Sequence, residues 1–169
     1  MQKSSNLIFL GDSLTQFHNW SDFGEHHNAG IAGDTTGGLI YRLYYTLEKK
    51  PTTVVLMIGI NDLLQGQYLE TIQSNYQNIL RQLEIVEKVY VLSVLPVEMM
   101  DQTIQINKDI IMLNHFLKQE AAQRGYLYID LYSEMVSGNG GINEGLSSDG
   151  VHLTLKAYEV WEKFLKNHL

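Results

Sequence analysis

Cysteine is missing altogether from this chain of 169 residues, which excludes disulfides, thiolate metal sites and a cysteine nucleophile. No apolar run approaches the length of a membrane span. Positive charge is scarce too: 12 Lys and Arg stand against 19 Asp and Glu, a net charge of -7, and the cations are scattered along the chain. No nucleic-acid footprint results, and an anionic membrane surface should not attract such a chain. A secretory leader is hard to place. The early apolar run Leu7 to Leu10 is too short for one, and cleavage after it would fall just before Ser13. A cytoplasmic protein without stable membrane association is the expectation. Repeats, linkers and low-complexity tracts are lacking as well, and the length suits one domain, residues 1–169, with a core that needs no staples.

What is present alternates. Asn6 to Leu10, Thr53 to Ile58, Val89 to Leu95 and Leu127 to Leu131 are short apolar runs rich in β-branched residues, with a weaker candidate at His27 to Ile31. They are near-continuous rather than alternating, as expected of strands covered on both faces. Between them lie helical stripes: Leu39, Leu43 and Leu47; Ile72, Tyr76, Ile79, Leu83 and Val86; Ile106, Ile110, Leu113 and Leu117; and Ala157, Val160, Trp161, Phe164 and Leu165. Core packing accounts for these stripes. Strands alternating with helices imply an α/β fold with a parallel sheet between two helix layers. The glycine-rich segment Gly138 to Gly145 reads as a long surface loop.

In open parallel sheets the site lies beyond the carboxyl ends of the strands. Those ends carry Gly11-Asp12-Ser13, Gly30-Ile31-Ala32-Gly33-Asp34, Gly59-Ile60-Asn61-Asp62 and Leu95-Pro96-Val97-Glu98. Far downstream, Ser148 to Thr154 read Ser-Asp-Gly-Val-His-Leu-Thr. Ser13, His152 and Asp149 thus offer a nucleophile, a base and an orienting carboxylate, and point to a serine hydrolase. Gly33 and Asn61 offer donors for an oxyanion: a glycine N–H can approach closely, and an asparagine amide donates. The N–H of Ser13 adds a third.

Each piece also has a plainer use. Ser and Asp at a strand-to-helix turn commonly cap the next helix, and Thr15 replaces the second glycine of the Gly-x-Ser-x-Gly elbow. Gly33 and Asn61 also suit ordinary turns. Asp149 and His152 could be loop residues, although three-residue spacing in a turn lets the carboxylate reach one ring nitrogen while the other faces a hydroxyl. His18, His26, His27, His115 and His168 have no partner at ligand spacing, so no metal site is expected.

Together these segments resemble the SGNH hydrolases, the GDSL lipase/acylhydrolase family. The resemblance rests on Gly11-Asp12-Ser13-Leu14, on Asn28 to Thr35, on Gly59-Ile60-Asn61-Asp62 and on Asp149-Gly150-Val151-His152, in the family's order and over nearly the whole chain. It implies a flavodoxin-like three-layer α/β/α domain with a five-stranded parallel sheet. It also implies ester hydrolysis without cofactor or metal, with Ser13, His152 and Asp149 as the triad and Ser13, Gly33 and Asn61 as the oxyanion hole. Gly33-Asp34-Thr35-Thr36 looks most like the lysophospholipase/thioesterase and acetylhydrolase branches.

The resulting expectation is a serine esterase that forms an acyl-serine intermediate on a small-molecule or lipid ester. The loops around the motifs are short, so short to medium acyl chains are favoured over long ones. Leu14, Phe17, Leu63, Leu64, Met99, Val151 and Leu153 either line a shallow acyl cleft or fill the core. Two alternatives use the same residues: a non-catalytic flavodoxin-like binding module, and an acyltransferase with the same triad. Oligomeric state is not legible in the sequence.

Overall fold

The computed structural model describes residues 6–99 and 103–169. The apolar runs become strands β1 (Leu7–Gly11), β3 (Thr53–Met57), β4 (Lys88–Leu92) and β5 (Leu127–Ile129), and the weaker candidate becomes β2 (His26–Gly30). Every pairing is parallel and the order is β2-β1-β3-β4-β5. That is the flavodoxin-like order, which reverses direction between β1 and β3 and opens a crevice there. β4 and β5 stop short of the apolar runs that announced them. The carbonyl of Ile129 takes the N–H of Ser93 and also that of Leu131, which bends the chain out of the sheet.

The strands are apolar throughout because each face of the sheet has its own helix layer. Ile8 and Leu10 of β1, Val54 and Leu56 of β3, and Val89 and Val91 of β4 point one way. There they meet Leu39 and Leu43 of α2 (Thr36–Leu47), Ile72 and Ile79 of α4 (Leu69–Gln82), and Ile110 and Leu117 of α5 (Thr103–Arg124). The intervening residues Leu7, Phe9, Val55, Met57, Tyr90 and Leu92 point the other way, against Trp20, Leu131, Met135 and α7 (Leu155–Lys166). Trp20 is fully buried, stacks on Phe9 at 4.3 Å and donates its indole N–H to the Thr15 carbonyl at 3.0 Å. Burying such a ring contributes on the order of 3 kcal/mol and fixes the segment after β1.

Three short helices escape the periodicity: α1 (Ser13–Gln16), α3 (Ile60–Leu64) and α6 (Tyr132–Met135). At four or five residues, none completes the two turns in which a stripe becomes visible. The segment from Gly138 to Gly145 differs from expectation. It is not a free surface loop: Ile142 bridges to Val136, Asn143 N–H bonds to the Met135 carbonyl, and Ile142 and the following Leu146 are buried. Two apolar anchors outweigh its glycine-rich composition. No helix among the described residues is long and apolar enough to cross a membrane.

Candidate active site

Ser13 is the first residue of α1, directly beyond the carboxyl end of β1. Helix capping falls to its neighbour: the Asp12 carboxylate accepts the Leu14 N–H at 2.9 Å. The Ser13 hydroxyl is therefore not needed as a cap, and it lies 3.1 Å from His152 Nε2. As the first residue of a helix, Ser13 has no carbonyl one turn back to receive its own N–H. The turn is also held by α7, whose Tyr158 hydroxyl donates to the Leu14 carbonyl at 2.7 Å.

His152 and Asp149 stand in a tight turn between the bridged residues Ser147 and Leu153. One Asp149 oxygen accepts the backbone N–H of Val151 (2.9 Å) and of His152 (2.7 Å), and the other meets His152 Nδ1 at 2.6 Å. A carboxylate can only accept, so Nδ1 carries the proton and Nε2 presents its lone pair to the Ser13 hydroxyl. Partial desolvation pushes the Asp149 carboxyl up, but the His152 ring and the two backbone amides outweigh it and bring it to about 2. The turn requires Gly150. Its φ is +87°, and a β-carbon there would sit 1.7 Å from the Glu98 carbonyl oxygen. Glu98 N–H in turn donates to the Gly150 carbonyl at 2.8 Å, docking the turn on the segment after β4. The Asp149 and His152 side chains remain 52% and 42% exposed.

The oxyanion candidates follow the two strands that flank β1, Gly33 after β2 and Asn61 after β3. Gly33 has φ +78°, a conformation that favours glycine, and the space where its side chain would project is open. The loop carrying it is fastened to the serine's turn. Ile31 N–H donates to the Gly11 carbonyl at 3.1 Å, and Ala32 N–H donates to the Gln16 side chain at 2.6 Å. Asn61, in α3 after β3, donates one amide hydrogen to the Asp34 carbonyl at 2.9 Å and keeps the second. The structure thus joins Ser13, His152 and Asp149 in one hydrogen-bonded line, and joins Asn61 to the residue after Gly33. Among the described residues, no group of three or more His, Asp or Glu is placed to hold a metal ion.

Four residues around the site have no part in the triad or oxyanion hole read from the sequence. The Asp62 carboxylate is 2% exposed and accepts both the N–H (2.9 Å) and the hydroxyl (2.5 Å) of Thr36. Burial pushes this carboxyl up, against the pull of the Thr36 bonds. Asp34 receives the Arg42 guanidinium at 2.6 Å. Asp12 is 1% exposed, and its second oxygen has no partner. Burial, helped by the charge of Asp34 and opposed by the Leu14 N–H, raises the Asp12 carboxyl to about 7. The available signal was Arg42, the single charged residue in Thr-Gly-Gly-Leu-Ile-Tyr-Arg-Leu-Tyr-Tyr-Thr-Leu, the sequence of α2.

The profile of the GDSL-like lipase/acylhydrolase family matches residues 9–160, nine-tenths of the chain. The chain belongs to that family. Platelet-activating factor acetylhydrolase IB subunit alpha2 of Gallus gallus is 30% identical over an alignment covering 92% of this chain and 72% of that protein. An N-acylneuraminate cytidylyltransferase of Streptococcus agalactiae is 28% identical over 158 residues, 94% of this chain but only 37% of that longer protein. The chain therefore spans little more than a third of that relative's length. Among solved structures, a GDSL-like lipase of Bacteroides thetaiotaomicron superposes with a TM-score of 0.88 at 22% identity, covering 99% of this chain and 89% of that one. At that identity the likeness is one of fold. Membership of the GDSL-like family accounts for the flavodoxin-like sheet and for the Gly-Asp-Ser-Leu sequence at its first strand end.

Proposed function

We propose that this GDSL-like protein, as one hydrolase domain over residues 1–169, cleaves carboxylic esters of short to medium acyl chains through an acyl-serine intermediate. The observation that carries the reading is the line from Ser13 Oγ to His152 Nε2 and from Nδ1 to Asp149, at 3.1 and 2.6 Å. His152 accepts the Ser13 proton as Oγ bonds to the ester carbonyl carbon, and the carbonyl oxygen becomes an oxyanion. The Ser13 N–H, the Gly33 N–H and the free amide hydrogen of Asn61 receive that charge. As the intermediate collapses, the C–O bond to the alcohol breaks and His152 returns the proton to the departing oxygen. Water then bonds to the acyl carbon as His152 removes its proton, and the C–Oγ bond breaks as His152 returns that proton to Ser13 and the acid departs. Asp149 stays ionised throughout and holds the imidazole.

Two observations favour a small acyl group. Leu14 and Leu63, two of the seven apolar residues that the sequence left open between cleft wall and core, are core residues at 3% and 7% exposure. Phe17 is 60% exposed with its ring 5.7 Å from that of His152, an apolar surface beside the base but not an enclosure. Extra methylenes gain about 0.8 kcal/mol each only where they are buried. The acetyl group named in the Gallus gallus relative agrees with this size.

Labelling with a fluorophosphonate, followed by peptide mapping, tests the chemistry, because only an activated serine reacts. Modification confined to Ser13 and prevented by competing ester is the expected result; an unlabelled folded protein would favour a binding module. The specificity constant across p-nitrophenyl esters from acetate to palmitate tests the cleft. It should peak by about eight carbons, and a profile still rising beyond decanoate overturns the size assignment.

A further inference from the structure

Arg42 lies on α2, outside the residues assigned to the reaction, yet its guanidinium is spent entirely on the segments that carry them. Nε donates to Asp34 Oδ2 at 2.6 Å, Nη1 to the Ala29 carbonyl at 2.8 Å and Nη2 to the Gly11 carbonyl at 2.8 Å. Gly11 ends β1 two residues before Ser13, Ala29 is the penultimate residue of β2, and Asp34 follows Gly33. One planar fork therefore spans the nucleophile's strand, the neighbouring strand and the oxyanion loop. The Arg42 and Asp34 side chains are 19% and 10% exposed, so solvent screens the pair little.

Asp34 passes the constraint on. Its Oδ1 accepts the Thr35 N–H at 3.0 Å, and its carbonyl accepts the Asn61 amide at 2.9 Å. Without the guanidinium, the Asp34 carboxylate would be a partly buried charge lacking its cation, and the loop would turn to hydrate it. That movement would carry the Gly33 N–H and the carbonyl that orients Asn61. We infer that Arg42 is a positioning residue: it sets the oxyanion donors against Ser13 and touches no substrate. The inference rests on the ester-hydrolase reading of the same site. Lysine cannot replace it, because one ammonium cannot direct three donors along a rigid plane. The oxyanion forms only as the reaction proceeds, so the loss of alignment belongs to turnover and not to substrate affinity.

The experiment compares wild type, Arg42→Ala, Arg42→Lys, Asn61→Ala and the Arg42→Ala/Asn61→Ala double variant on p-nitrophenyl acetate, with circular-dichroism melts for each. For Arg42→Ala, kcat is expected to fall about thirtyfold or more with KM within about threefold, and Arg42→Lys should remain well below wild type. Millimolar guanidinium, far below denaturing levels, should restore part of kcat in Arg42→Ala and none in Asn61→Ala. In the double variant, the loss should be far smaller than the product of the single losses, since both act on one oxyanion site. A residue that only stabilises the fold would lower the melting temperature and leave kcat per folded molecule unchanged; that result overturns the inference, as does full additivity with Asn61→Ala. Should Arg42→Ala not fold, Asp34→Asn reads the same link, and a kcat equal to wild type there overturns it. If wild type neither turns over ester nor labels at Ser13, the ester-hydrolase reading falls and this role falls with it; active wild type with unaltered variants removes only the role of Arg42.

Discussion

On what we propose as the oxyanion side of the site, hydrogen bonds join residues far apart in the chain: Asp62 to Thr36 over 26 residues, Asn61 to Asp34 over 27, and Arg42 to Gly11 over 31. The carboxylates there are buried or nearly so. On the base side, Asp149 holds His152 across three residues with its own side chain half in water, and the same carboxylate closes the turn through two backbone N–H groups. The contrast follows from what each side would do in the proposed reaction. Donors that meet a developing negative charge must be aimed before the charge appears, and this requires a rigid support from several elements. A base that accepts and returns one proton needs the right tautomer and a fixed direction, which one neighbouring carboxylate provides.

The sharpest way to separate the two sides is to remove the atom they share. Ser13→Ala should lower kcat by about three orders of magnitude or more, leaving the slow rate that the oxyanion side supports with water alone. Steady-state turnover measures it, and a variant within tenfold of wild type would break the assignment. Asn61→Ala weakens one side only. Its kcat should fall roughly a hundredfold with a much smaller change in KM, and the reverse pattern would make Asn61 a binding residue.

Asp12, the residue before Ser13, responds to pH. Its folded pKa of about 7 lies above its value of 3.8 when exposed. The native state therefore holds a proton there that the unfolded chain gives up, and the stability this contributes is complete below pH 4 and lost as pH rises through 7. Asp12→Asn keeps an acceptor for the Leu14 N–H and cannot ionise. Its melting temperature should equal or trail wild type at pH 5 and exceed it at pH 9, by an amount on the order of a few kcal/mol in stability. Parallel melting curves across that range would show that Asp12 is not a buried neutral acid.

The smallest effect comes from a matched pair of aspartates. Asp62→Ala strands the N–H and hydroxyl of Thr36 without their acceptor and should cost roughly 2 kcal/mol by denaturant unfolding. Asp149→Ala, at a half-exposed position, should cost about 1 kcal/mol or less while reducing activity strongly. If both variants lose the same stability, the base side is as tightly integrated as the oxyanion side, and the contrast drawn between them disappears.

The same contrast explains which parts were legible in advance. The sheet could be read because residues buried on both faces leave near-continuous apolar runs, and the four longer helices because one buried stripe repeats every turn. The Asp149 to His152 turn was legible because its chemistry is packed into four consecutive residues. Arg42 and Asp62 were not, because their partners are set by strand order and not by spacing. Gly138 to Gly145 misled for a related reason: composition registers glycine, but it does not register that Ile142 and Leu146 find a core to enter.

The alternation of strands and helices, the polar groups at strand ends and the local pairing of Asp149 with His152 are all written in the order of residues along the chain. These follow from short-range physics: the period of each element, the geometry of turns, and the reach of one side chain over three residues. Three outcomes emerge only on folding: Asp12 rather than Ser13 caps α1, Leu14 and Leu63 belong to the core, and one guanidinium ties β1, β2 and the Gly33 loop together. Those outcomes depend on burial and on which strand lies beside which. Both arise only when the sheet has assembled and water has left the space between its strand ends and α2.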